Sequence, residues 1–198
     1  VMAVMNGFRA DLYKQVIGLN GHMNVFAYQG PLTEYDSLAS ELRKLEHVSR
    51  VGPMIEGQGL ITGRGSPRGV MVRGLEPEDI RTKPTLAGHI VSGSLENFEG
   101  TNIAIGKRLS AMLGAQVGDS ITLVSPQARA TAFGGSPRFA SFTIAAVFDV
   151  GMYTFDNGFI FMPLETAQAF YNLPERVNAL EVMVDDLKNL SEVKLNII

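Results

Sequence analysis

Val51-Gly52-Pro53-Met54-Ile55-Glu56-Gly57-Gln58-Gly59-Leu60-Ile61, then Thr62-Gly63-Arg64-Gly65-Ser66-Pro67-Arg68-Gly69, then Val70-Met71-Val72-Arg73-Gly74-Leu75, is the stretch that decides the fold class. The outer runs are rich in β-branched and apolar residues and the link between them is dense in chain breakers, so the stretch predicts two strands joined as a hairpin. Hairpin strands pair antiparallel. Upstream, Leu38, Leu42, Leu45 and Val48 make one apolar stripe, which predicts a helix over 38–48 with Ser37 as its N-cap. Further upstream, Met23, Val25 and Ala27 alternate as in a strand after the turn signal Asn20-Gly21, and Val1, Val4, Met5, Phe8, Leu12, Val16 and Leu19 predict a helix over 1–20.

Downstream, Thr82 to Gly100 is rich in Gly, Pro, Ser and Thr and reads as a connection or domain boundary. Asn102 to Leu113 is expected to be a short helix ended by Gly114, followed by a turn at Gln116-Val117-Gly118-Asp119 and a strand over Ser120 to Val124. Strands over Ser141 to Val150 and Asn157 to Met162 flank a turn-like Gly151 to Asp156, and Leu164 to Tyr171 reads as a helix. A last strand spans Val177 to Val184, after which Asp186 opens a helix. This alternation predicts an α+β fold with mostly antiparallel pairing. A β-α-β order at each end suggests two halves of one layered subdomain with the middle inserted.

The 198 residues suffice for one large domain or two small interlocked ones. Seventeen Lys+Arg against 20 Asp+Glu give a net charge of −3, so no global basic field draws the chain to nucleic acid or anionic lipid. A 45% hydrophobic fraction and a mean hydropathy of +0.11 exclude intrinsic disorder. With no cysteine there is no disulfide framework, thiolate zinc site, iron–sulfur cluster or cysteine nucleophile. The longest apolar runs, such as Val1 to Met5 and Phe159 to Leu164, fall far short of the ~20 residues of a membrane helix. No signal peptide is visible, and the chain reads as an excised fragment.

Catalytic patterns fail one by one. His22, His47 and His89 stand in separate segments without the spacing that places two metal ligands on one helix face. The glycines from Gly57 to Gly69 lack phosphate-loop spacing, and Ser92, Ser94 and Ser136 lack a nucleophile-elbow context. Asp156 falls in a turn and Glu165 opens a helix, which makes a poor acid pair. No catalytic residue, metal ligand or cofactor site is expected.

One segment is unlike a routine loop. Ser125-Pro126-Gln127-Ala128-Arg129-Ala130-Thr131-Ala132-Phe133-Gly134-Gly135-Ser136-Pro137-Arg138-Phe139 is bracketed by two Ser-Pro pairs and contains no acidic residue. It is far longer than the ~2–5 residues of a usual hairpin loop. It offers Arg129, Phe133, Arg138 and Phe139, and arginine and aromatic residues are enriched at protein–protein hot spots. The segment is therefore expected to be a recognition arm.

Val4-Met5-Asn6-Gly7-Phe8, Ile105-Gly106-Lys107-Arg108-Leu109 through Leu113-Gly114, Val117-Gly118-Asp119-Ser120-Ile121-Thr122-Leu123, and Phe148 through Gly151-Met152-Tyr153 to Met162-Pro163-Leu164 together resemble the periplasmic domain of lipoprotein-releasing ABC transporter permeases of the LolC/LolE type. The Leu-Gly-x-x-x-Gly-Asp block is shared with the wider MacB- and FtsX-like permeases. The resemblance covers essentially the whole chain. It implies a non-enzymatic domain on the periplasmic side of a Gram-negative inner membrane, working with a separate ATPase subunit and a second permease or a second copy of itself. Its partners would be triacylated lipoproteins and the soluble periplasmic carrier LolA.

The implied fold is a MacB-like periplasmic domain. It has the end of a first membrane helix at 1–20, a Porter-like subdomain at 21–92 and 173–198, and an inserted, mainly β Sabre-like subdomain at 93–172. In the LolC branch a protruding hook captures the carrier. The matching positions are Pro126, Gln127, Ala128, Arg129, Ala130, Thr131, Ala132, Phe133, Gly134, Gly135, Ser136, Pro137 and Arg138. Met2, Met5 and Phe8 would line a path for lipoprotein acyl chains. The alternative reading is a MacB/FtsX-like mechanotransmission domain that binds another periplasmic partner.

Overall fold

The hairpin centred on residues 51–75 forms and is longer than expected: β2 runs over Val48–Thr62 and β3 over Arg68–Leu75, paired antiparallel from Met54↔Leu75 to Ile61↔Arg68. The computed structural model of the chain describes residues 21–26, 30–63, 66–131 and 134–197, and for 126–131 and 134–136 the backbone alone. The expected helix over 1–20, and with it Met2, Met5 and Phe8, lies outside the described residues. Before the hairpin come β1 (Met23–Phe26) and α1 (Tyr35–Leu42). After it follow α2 (Pro77–Thr82), α3 (Pro84–Ala87), β4 (Ile90–Gly93), β5 (Asn102–Gly106), α4 (Lys107–Leu113), β6 (Ser120–Thr131) and β7 (Gly134–Phe148). The chain continues through α5 (Tyr153–Gly158), β8 (Phe159–Pro163), α6 (Leu164–Tyr171) and β9 (Ala179–Val184) to a 3-10 turn at Leu187–Asn189 and α7 (Leu190–Ile197).

Several expected boundaries are corrected. Asn102 to Gly106 is a strand and not the start of a helix, because Ile103 and Ile105 enter one core while Ala104 enters the other. A strand buried on both faces reads as a continuous apolar run and loses its alternation. α1 begins at Tyr35, so Ser37 lies in its first turn and is not the N-cap. It ends at Leu42, where the Arg43 guanidinium turns back onto the Val51 carbonyl at 2.7 and 3.2 Å. His47 then takes a φ of 67° and redirects the chain into β2. The breaker-rich stretch from Thr82 contains α3 and β4, and Gly151 to Asp156 is not a plain turn but leads into α5. Asp186 does cap the following 3-10 turn, accepting the Lys188 N–H at 3.0 Å.

The nine strands of the described residues make one sheet, eight of them in the order β1-β9-β2-β3-β8-β5-β7-β4 with β6 off this path. β3–β8 and β5–β7 are parallel, and the other pairings are antiparallel. β6 pairs with both β7 and β2, so β2-β3-β8-β5-β7-β6 closes into a ring through Leu60↔Val124, Ile61↔Leu123 and Thr62↔Thr122. β4, which ends at the expected boundary near residue 93, pairs with β7.

Each face of the sheet buries its own core. Ile61, Val72, Ile103, Ile105, Leu123 and Ile160 pack with α1, α4 and α6 on one side. Met54, Leu75, Ala104, Phe148 and Phe161 pack with α2, α3 and α5 on the other. Gly74 lets α6 lie directly on the sheet, since a Cβ there would overlap the Ala167 methyl. Two buried ionisable side chains, Lys83 and Arg73, each meet a carboxylate. Lys83 Nζ meets Glu181 at 2.6 Å, and Arg73 meets Glu56 at 2.7 Å while resting 5.0 Å from the Phe159 ring centroid.

Candidate interaction site

The segment expected to be a long loop is built largely as sheet. β6 and β7 pair from Ser120↔Thr143 to Ser125↔Arg138, then resume from Arg129↔Ser136 to Thr131↔Gly134. Between the two ladders β6 uses four steps where β7 uses two, so residues 126–128, which include Pro126, bulge opposite Pro137. Proline has no N–H to give a ladder, so a proline on each strand of this stretch accounts for the interruption. The arm thus has a root within the closed ring and a short distal ladder beyond the bulge. Ala132 and Phe133, the expected apolar tip, lie outside the described residues.

The root is bolted to a neighbour. The Arg138 guanidinium donates to the Ala169 carbonyl, to the Phe170 carbonyl at 3.3 Å and to Asn172 Oδ1 at 3.5 Å. These acceptors sit at the C-terminal end of α6, where a cation complements the exposed carbonyls. Asn172 reaches them from a left-handed C-cap, φ 57°. α6 is itself held by Phe170 against Phe142, with centroids 5.7 Å apart, and by the Tyr171 hydroxyl donating to the Gln58 carbonyl at 2.9 Å. Arg138 therefore orients the arm through α6, while Phe139 beside it leaves 66% of its surface in solvent.

Sequence reasoning missed Leu60 and Val124, which flank the root on adjacent strands. Leu60 is 42% exposed, and its only signal was an apolar residue directly after Gly59. The remaining candidates do not come together. His22 Nδ1 accepts the Val184 N–H at 2.9 Å, and His47 pairs with Asp185 far along the chain. Asp156 accepts the Val150 N–H at 2.9 Å, and burial holds its carboxyl above the usual range, which is a structural role. No cluster of three or more His, Asp or Glu suited to a metal occurs among the described residues, and none of the described helices is long and apolar enough to cross a membrane.

The family described as the MacB-like periplasmic core domain matches residues 1–197. The lipoprotein-releasing system transmembrane protein LolC of Neisseria meningitidis is 26% identical over 191 residues, covering 96% of this chain and 46% of that protein. LolC of Xylella fastidiosa is 27% identical over 195 residues, covering 97% and 46%. The chain spans about half the length of the curated relatives it matches. Among solved structures, the extracellular domain of the ABC-type transporter YknZ from Gram-positive bacteria aligns with a TM-score of 0.56 at 12% identity, covering 86% of each chain. The periplasmic region of MacB from Actinobacillus actinomycetemcomitans aligns at 0.53 with 14% identity, covering 87% of this chain and 82% of that one.

Proposed function

This chain belongs to the MacB-like periplasmic core domain family, and from that premise we propose that it is the periplasmic domain of an inner-membrane lipoprotein-releasing permease. It docks the soluble carrier LolA through the β6–β7 arm and passes lipoproteins to it. The observation that supports this most is the arm itself, a doubly proline-marked hairpin without an acidic residue, rooted in a closed ring of strands. A rigid root suits recognition, because little order has to be created on binding.

The domain is non-enzymatic in this reading, and ATP is hydrolysed by a separate subunit. Arg129 carries the charge toward the carrier and Phe133 is the apolar anchor. Arg138 holds the arm at its working angle. Met2, Met5 and Phe8 belong to the path by which acyl chains leave the bilayer.

The test is calorimetric titration of the chain with the lipoprotein carrier of the same organism, alongside a variant lacking Gln127 to Ser136. Saturable binding that disappears with the arm is the expected result. Undiminished binding without the arm, or no binding by the intact chain, would favour a mechanotransmission domain with another periplasmic partner.

A further inference from the structure

β1 stands at one end of the sheet order and β4 at the other, so among the described residues each has a free edge. The β4 edge is blunted, because its register slips between Ile90 and Ser92 and it ends on Gly93 at φ 76°. β1 has no such protection. Its register on β9 is unbroken from Met23↔Val182 to Phe26↔Ala179, and Met23-Asn24-Val25-Phe26 contains neither proline nor charge.

The ladders fix which main-chain groups of β1 face outward. The Glu56 N–H donates to Asn178 Oδ1 at 2.9 Å and the Asn178 amide donates to the Glu56 carbonyl at 2.6 Å. Glu56, and by alternation Met54, therefore turn their main chains toward β9. Met54 pairs with Ala179, so on β9 the main chains of Leu180, Val182 and Val184 turn the other way, toward β1. The Val184 N–H, donating to His22 Nδ1 at 2.9 Å, shows that direction. Met23 and Val25, opposite Val182 and Leu180, are used in this ladder. The N–H and C=O groups of Asn24 and Phe26 point away from the sheet, roughly 7 Å apart as for any two residues of one strand face. Asn24 Oδ1 is in addition buried without a partner.

Beside this edge lies a hollow of ≈ 520 Å³. His22 to Phe26 line it without a break, so it follows β1 along its length, and Leu190, Lys194 and Ile197 of α7 form the other wall. Ile197 packs on the first core, and Phe26 keeps 57% of its surface in solvent. No lining residue is a carboxylate, while Lys194 brings a cation. Main-chain donors and acceptors that repeat at every second residue are matched by another strand. A helix bonds its own main chain internally, and hydrocarbon has no such groups to offer. A second copy of the chain fits less well. Two β1 strands paired antiparallel are related by a two-fold axis normal to the sheet, which would bring a second α7 and a second Lys194 to the same face. Like charges would then meet in the groove.

We infer that the β1 edge is a docking groove for an extended, acidic peptide segment of a partner protein, which adds as a further strand between β1 and α7. This surface is independent of the carrier docking assigned to the β6–β7 arm. The first test is selection on the immobilised chain from a phage library of random peptides of about 10 residues, the length of a long strand. Enriched sequences are expected to alternate apolar residues and to carry Asp or Glu. One of them, synthesised with a fluorophore, should bind saturably by anisotropy. Methylating the main-chain nitrogens of every second residue, in one of the two phases, should weaken that binding at least tenfold. Asn24→Pro deletes an outward N–H and leaves the Met23 and Val25 bonds to β9, so it should weaken binding similarly while keeping the thermal midpoint. Lys194→Glu should weaken it severalfold, and less at high salt. In hydrogen exchange the Asn24 and Phe26 amides should be fast in the free chain and slow with peptide bound, and those of Met23 and Val25 slow in both.

Failure to enrich any sequence, enrichment without acidic residues, or binding indifferent both to N-methylation and to Asn24→Pro would overturn the groove. Asn24 and Phe26 amides already slow in the free chain would overturn it too. Slow at every concentration, they would mean that the chain covers its own edge; slow only at high concentration, that a second copy does. Peptide binding that disappears when Gln127 to Ser136 are deleted would move the peptide to the arm and overturn the groove. Peptide binding that survives this deletion is the expected result.

Discussion

Lys83 and Glu181 are almost wholly removed from water, with 3% and 8% of their side chains exposed, and Glu181 also accepts the Gly21 N–H at 2.8 Å. Burial pulls the Lys83 ammonium below its ordinary pKa while the Glu181 carboxylate opposes the shift. Removing one partner strands a buried charge, so Lys83→Met should destabilise the chain by about 3–5 kcal/mol in urea unfolding. Lys83→Met with Glu181→Leu should recover most of that loss. A double variant no more stable than the single one would show that the pair is not coupled. The His47–Asp185 contact, 3.0 Å at the surface, makes a different prediction. Its hydrogen bond and charge raise His47 and lower Asp185 to about 2. Asp185 thus contributes above its unfolded value of 3.8 and loses that contribution as pH falls toward about 2, whereas His47 contributes below 6.5 and loses it as pH rises through its elevated folded value. His47→Gln should therefore lower the thermal midpoint near pH ~5 and leave it unchanged near pH ~9, with salt shrinking the difference. An equal loss at both pH values would mean that the positive φ of His47, and not its charge, is what matters.

α6 shows how one missing atom sets the place of an element. A Cβ at Gly74 would overlap the Ala167 methyl and come within 3.6 Å of Ile55 and of the Leu164 backbone, so Gly74→Ala must lift α6 from the sheet. The expected cost is about 1–3 kcal/mol by denaturant unfolding, reduced when combined with Ala167→Gly. Additive losses would show that the contact is relieved elsewhere. α6 also receives Arg138, so Arg138→Gln should weaken carrier docking by freeing the arm, with little change in the thermal midpoint. Rescue by Arg138→Lys would instead indicate that charge alone is needed. The elements that could be read from the sequence were those whose signals are local. The hairpin at 51–75, the helix at Leu164–Tyr171 and the strand ending at Val184 carry their own periodicity or breakers. Ile103 to Ile105 carried neither, because a strand buried on both faces and a buried helix share one apolar pattern. The arm was legible as an unusual segment from its prolines and missing acids. Its ladder was not, since Gly134-Gly135 and Ala130 have little strand preference and pair only because the ring below aligns them.

At the scale of the molecule the decisive feature is the closure of the ring, which depends on contacts between residues 60–62 and 122–124. No local signal announces a pairing so distant in sequence, and this is why the candidate site could be read from the arm but not from Leu60 and Val124. Closure also bears on how the proposed Porter-like and Sabre-like parts behave. β2, β3 and most of β4 belong to the first, β5 to β8 to the second, and the two are joined by five β3–β8 pairs, by three β2–β6 pairs and by three β4–β7 pairs. Leu123 sits at the second seam and is fully buried between Ile61 and the ring interior. Leu123→Ala should cost about 2–5 kcal/mol, the range for a leucine truncated in a well-packed core. If the joined sheet unfolds as one unit, hydrogen exchange should accelerate together in β9, on the far side of β2, and in β7. Loss of protection in β7 with β9 unchanged would mean that the two parts open separately. The arm could then move with its own half of the molecule, and the coupling assigned to Arg138 would be confined to that half.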